Sequence, residues 1–87
     1  MRNKYTFYED PGHGWLEIPE RLVLESGAQI SKYSYRAHGN VYLEEDCDLA
    51  AYLRAAGVKN PSEWFTANVT VKYVATRALP FKHRSLR

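Results

Sequence analysis

Apolar and polar positions alternate from Tyr5, so residues 4–8 read as a short strand with Tyr5 and Phe7 on one face. Glu9-Asp10-Pro11-Gly12 then supplies a turn, and its Pro-Gly step suits a type II bend. The extended pattern resumes over Trp15 to Ile18. Pro19 suits the first turn of a helix, where its missing N–H costs nothing, and Gly27 suits the position just past the end. Residues 19–26 are therefore expected to form a two-turn helix that buries Leu22 and Val23. From Gln29 to Ala37 polarity alternates again, with Ser31, Tyr33 and Tyr35 on one face and Ile30, Lys32 and Ser34 on the other. His38-Gly39-Asn40 carries turn chemistry, and Val41 to Glu44 reads as the returning arm of a hairpin.

Beyond it the period changes to that of a helix, with Asp46 as N-cap, Asp48 in the first turn, and Leu49, Tyr52, Leu53 and Ala56 along one side. Gly57-Val58 ends this helix in the Schellman manner. Asn60-Pro61-Ser62-Glu63 predicts one more capped helical turn, carrying Trp64 and Phe65 toward the core. Residues 68–76 predict a strand with Val69, Val71 and Tyr73 opposite Thr70, Lys72 and Val74. The order β-β-α-β-β-α-β gives an α+β fold: a mostly antiparallel sheet of about five short strands with two short helices. Residues 1–79 form the single domain, and residues 80–87 a basic C-terminal tail.

Composition sharpens this picture in one respect. With 87 residues, 45% hydrophobic and 25% charged, the chain has one modest core and no global disorder. Seven Tyr, three Phe and two Trp are more aromatic residues than such a core needs. They fill it with rings that keep a polar handle, or they form a contact surface. A net charge of +2 does not by itself imply nucleic acid or membrane as a partner. Its distribution is uneven: residues 77–87 hold Arg77, Lys82, Arg84 and Arg87 without an acid, and residues 44–48 hold Glu44, Glu45, Asp46 and Asp48 without a base. A single cysteine allows neither an internal disulfide nor a multi-thiolate zinc site. Without an apolar leader or a span-length apolar run, the expected setting is the cytoplasm, with no membrane contact.

Two peptides concentrate the unusual chemistry: Asp10-Pro-Gly-His-Gly-Trp-Leu16 and Tyr42-Leu-Glu-Glu-Asp-Cys-Asp48. Cys47 stands where a helix N-terminus would favour thiolate, but four surrounding carboxylates oppose ionisation. His13 between two glycines is the natural partner of a Cys/His pair and equally ordinary turn chemistry, reaching back to Asp10. Asp10, His13, Asp46 and Asp48 are ligand types suited to a divalent cation, though their spacing is not that of an EF-hand, and no metal is expected. No Gly-rich loop ends in Lys-Ser or Lys-Thr, so no nucleotide cofactor is implied. Asp46 and Asp48 are explained by the helix N-terminus, whereas Glu44 and Glu45 are not. These four acids lie beside Tyr33, Tyr35 and Tyr42 on the adjacent hairpin and make an acidic, tyrosine-rich surface suited to a basic protein partner.

The strings DPGHGWL, ISKYSY and YLEEDCD resemble a family of small proteins carried by bacteriophages and mobile elements, over roughly residues 5–55. The stretch after Gly57 has no counterpart in that pattern. The resemblance assigns no catalytic residue. It implies a context in which small phage proteins bind and inhibit host proteins, including components of defence such as CRISPR complexes. The expected function is thus a non-enzymatic phage or mobile-element binding protein, acting in the host cytoplasm on a host protein with a basic surface. Its contacts would be Glu44, Glu45, Asp46, Asp48, Tyr33, Tyr35, Tyr42 and His13. One alternative is a small enzyme or ligand-binding domain using His13, Cys47 and the carboxylates. A second is a nucleic-acid-binding module working through the basic tail and tyrosines. The oligomeric state and the role of residues 58–87 are left open.

Overall fold

The structure is a computed structural model that describes residues 4–81. Strand β1 (Tyr5–Glu9) turns into β2 (Gly14–Pro19), which runs directly into helix α1 (Glu20–Ser26). A loop leads to the hairpin β3 (Tyr35–Ala37) and β4 (Asn40–Glu44). Helices α2 (Asp48–Ala55) and α3 (Pro61–Asn68) follow, then β5 (Val69–Tyr73) and a single 3-10 turn at Thr76–Ala78. The sheet order is β3-β4-β2-β1-β5. Three neighbour pairs are antiparallel, and β5 lies parallel to β1 with Tyr5 opposite Val69 and Glu9 opposite Tyr73. The α+β expectation holds, with a mixed sheet and a third helix where one helical turn was expected.

Strand alternation sorts the core into two layers. Phe7, Leu16, Ile18, Val41, Leu43 and Val69 project to one side of the sheet and pack with Val23, Tyr52 and Leu53 of the helices. Trp15, Ala37 and Tyr42 project to the other side, away from α1, α2 and α3, and Leu79 and Phe81 fold over them. Phe81 is 2% exposed, and its ring centroid lies 4.6–4.9 Å from those of Trp15, Tyr35 and Tyr42. The chain past Pro80 is therefore part of the core at Phe81; residues 82–87 of the expected basic tail lie outside the described residues.

Local chemistry explains most element ends. His38 (φ 56°) and Gly39 (φ 80°) are the two central residues between paired Ala37 and Asn40, as a type I′ hairpin turn requires. Gly57 (φ 84°) ends α2 with its N–H on Arg54 and the Val58 N–H on Leu53 (3.1 and 2.9 Å), the Schellman pair. Asn60 Oδ1 accepts the Glu63 N–H at 3.1 Å and caps α3.

Four local expectations are corrected. The Pro11-Gly12 step is not a type II bend, because Gly12 has no positive φ. Instead Asp10 Oδ1 accepts the Gly12 and His13 N–H groups at 2.9 and 2.7 Å and shapes the turn with its side chain. Only residues 35–37 of the expected 29–37 strand pair with β4. Residues 31–34 turn instead, because Asp48 draws in the Ser31 N–H and hydroxyl and the Ser34 hydroxyl. The residue capping α2 is Cys47, not Asp46, and it makes no side-chain cap. Glu44 Oε1 takes the Cys47 N–H at 2.8 Å in its place. Finally, α1 starts one residue late, with Pro19 as its N-cap and as the last residue of β2.

Candidate functional site

The two unusual peptides meet at one end of the sheet. Trp15 sits opposite Glu44 in the β2–β4 ladder, and the Glu45 N–H donates to the Gly14 carbonyl at 2.9 Å. Gly14 is required there: a Cβ would collide with the Phe7 ring and come within 3.2 Å of Glu45 Oε1. The Asp10 turn is held from the other side by the Thr76 hydroxyl, which donates to Asp10 Oδ2 at 2.8 Å. Desolvation works against ionisation of Asp10. The Thr76 hydroxyl, the Gly12 and His13 N–H groups and the His13 imidazole nevertheless hold its carboxyl below the usual aspartate range.

The acidic run does not form one surface. Strand alternation ends at Glu44 and a helix begins at Asp48, so successive carboxylates leave in different directions. Glu44 is 7% exposed, turned toward Trp15 and committed to the Cys47 N–H. Asp48 is 3% exposed, its carboxylate filled by Ser31 and Ser34, while the Ser34 hydroxyl accepts the Glu44 N–H at 2.9 Å. Glu45 is exposed toward the helical side, and Asp46 and Cys47 are exposed beside the turn. Tyr42, expected as a contact, is 1% exposed and donates its hydroxyl to Glu17 Oε2 at 2.7 Å; burial and that carboxylate raise its pKa. Asp48 and Tyr42 thus build the site without facing a partner, and Glu45 faces elsewhere.

What remains together is a cleft of about 550 Å³ lined by Asp10, His13, Trp15, Tyr33, Tyr35, Glu44, Asp46, Cys47 and Thr76. The His13 ring lies 5.7 Å from Trp15, and Tyr33 is 56% exposed at the rim with Lys32 Nζ 5.7 Å from its centroid. Trp15 Nε1 is buried without a hydrogen-bond partner among the described residues, which costs about 1–3 kcal/mol. Desolvation, then Glu44, Asp48 and Asp46, push the Cys47 thiol above its ordinary pKa. The cysteine is exposed but sits in an electronegative niche, the reverse of what activates a nucleophile. Carboxylates beside aromatic rings suit a cation, such as a guanidinium or ammonium group.

Of the expected contacts, the structure brings together His13, Tyr33, Tyr35, Glu44 and Asp46. Asp10, Trp15, Cys47 and Thr76 join them. Trp15 carried a signal in its alternation with Leu16, but Thr76 carried none, since only the folded chain brings it to Asp10. Among the described residues no three His, Cys, Asp or Glu side chains converge to hold a metal ion, and no helix is long and apolar enough to cross a membrane. The chain matches no protein-family model, no curated protein and no solved structure.

Proposed function

We propose that this protein is a non-enzymatic binding module that receives a basic side chain of a partner protein in the cleft between the Asp10–Leu16 turn and the Tyr42–Asp48 segment. The observation carrying this reading is that Asp10, Glu44 and Asp46 line the same cleft as Trp15, Tyr33 and Tyr35, with no Lys or Arg lining it among the described residues. An arginine would find carboxylates for its fork and ring faces for its plane. The likeness of DPGHGWL, ISKYSY and YLEEDCD to phage and mobile-element proteins favours a host protein in the cytoplasm as the partner, with anti-CRISPR-like inhibition of a defence complex as one form of the activity.

The test is a pull-down from host cytosol with the parent protein and with an Asp46→Lys/Tyr33→Ala variant. Both positions are exposed, so the fold is expected to survive, checked by circular dichroism. The reading expects a partner held by the parent and bound at least about tenfold more weakly by the variant. Equal retention of that partner rejects it. An enzyme built on His13 and Cys47 is the second reading, since both line the cleft. It predicts a thiol that ionises near neutral pH, against the effect of the surrounding carboxylates.

A further inference from the structure

A second concavity lies on the opposite, helical side of the same sheet end. It is a groove of about 580 Å³ between α2, α3 and the far end of β5. Phe7, Leu49, Leu53 and Phe65 line it, with the Phe7 and Phe65 rings edge to face at 5.4 Å. Helix α3 does not cover the end of β5, where Val71 is 39% and Tyr73 79% exposed. This volume falls within the roughly 300–1,000 Å³ of sites that accept a ligand or a few side chains.

Its charge is one-sided. Glu9 and Glu45 lie along it, and among the described residues no Lys, Arg or His does, on a chain whose net charge is +2. The ion pair formed among the described residues, Arg36 with Glu20 at 2.7 Å, is elsewhere, and neither Glu9 nor Glu45 has a cationic partner among those residues. Desolvation, then Asp46, Glu9 and Glu44, raise the Glu45 pKa, so its negative charge is held at a disadvantage that a seated cation removes. The groove therefore disfavours fatty acids and nucleic acids, which would bring further negative charge to two carboxylates, and its apolar floor distinguishes it from a merely solvated acidic face.

We propose that this groove docks a segment of a partner protein in which apolar side chains flank a lysine or arginine, the apolar groups resting on Phe7, Leu53 and Phe65 and the cation lying between Glu9 and Glu45. The run Glu44-Glu45-Asp46 then serves two sites, Glu44 and Asp46 on one side of the sheet and Glu45 on the other.

The test is an amide chemical-shift titration of the full chain with the peptide N-acetyl-Leu-Leu-Arg-Leu-amide and its counterpart with Glu in place of Arg. The arginine peptide is expected to shift Ala50, Ser62, Thr66 and Val71 saturably. A Glu9→Gln/Glu45→Gln variant is expected to bind roughly fivefold more weakly, as two half-exposed ion pairs allow. Tyr33→Ala, which removes a ring of the other cleft only, should leave this titration unchanged, so the two proposals fail separately. Equal binding of the glutamate peptide overturns the inference. So do absent shifts, shifts confined to Trp15 and Tyr33, or self-association that buries the groove on dilution analysis.

Discussion

The Phe81 ring stacks on that of Tyr35, centroids 4.7 Å apart and 24° between planes. Through this contact a residue beyond Pro80 closes the side of the sheet opposite α1, α2 and α3. Phe81→Ala opens a cavity among Trp15, Tyr35 and Tyr42, and the expected loss is about 3 kcal/mol. Urea denaturation measures it, and increased tryptophan exposure in fluorescence should accompany it. A loss within about 0.5 kcal/mol, the range of an ordinary surface change, contradicts the packing described.

Asp48 and Ser34 form the joint between the 31–34 turn and the start of α2. Asp48→Ala strands the Ser31 N–H and two hydroxyls, for an expected cost of about 3 kcal/mol. Ser34→Ala should cost about 2 kcal/mol, since the Glu44 N–H also loses its acceptor. The double variant should lose less than the sum, because the two share one bond. Additive losses in thermal or urea unfolding would show that the joint is not a unit.

For Glu45 the sign runs opposite to that of a paired carboxylate. Its folded-state pKa is raised, so the folded protein binds the proton more readily, and the associated stability is present at low pH and lost as pH rises through the glutamate range. Glu45→Gln is therefore expected to stabilise the fold slightly near pH 7, by less than about 0.5 kcal/mol after solvent screening, and to lose that advantage near about pH 4. Asp10, whose pKa is lowered, behaves inversely: its contribution is present above the aspartate range and fades on acidification. Melting curves of Glu45→Gln and Asp10→Asn across pH separate the two signs.

Cys47 offers a chemical check of the cleft's field. An exposed thiol normally alkylates readily, yet here the thiolate fraction near pH 8 is depressed by desolvation and then by Glu44, Asp48 and Asp46. Iodoacetamide should react several-fold more slowly than with free cysteine, and Asp46→Asn should speed the reaction. A parent rate above that of free cysteine would falsify the electronegative cleft and restore the enzymatic reading.

What could be read from the sequence was what short-range chemistry decides. His38-Gly39, Gly57-Val58 and Asn60 each act within a few residues, and each does what its residue types require. The Asp10 turn and the cap of α2 differ from expectation through side chains two or three residues away, but the larger departures come where a distant group intervenes. Residues 31–34 alternate like a strand, but a carboxylate from α2 bends them into a turn. Phe81 lies among basic residues with no period to reveal it, and it is buried because the far side of the sheet needs a cover. The acidic run was legible as unusual, and the strand end and helix start within it were too, but the burial of Glu44 and Asp48 was not, because it depends on Ser31 and Ser34 folding in from the preceding loop.

The place of β1 between β2 and β5 has a kinetic consequence. Its hairpin with β2 closes over a few residues and should form within microseconds. Its parallel partner is contributed only after three helices and another hairpin have passed, so one long edge of β1 waits for a loop closure spanning most of the domain. Folding rates fall as such non-local pairings accumulate. The docking of β5 is thus the expected rate-limiting event, and until it occurs Tyr5 and Phe7 remain on an open strand where another chain could pair.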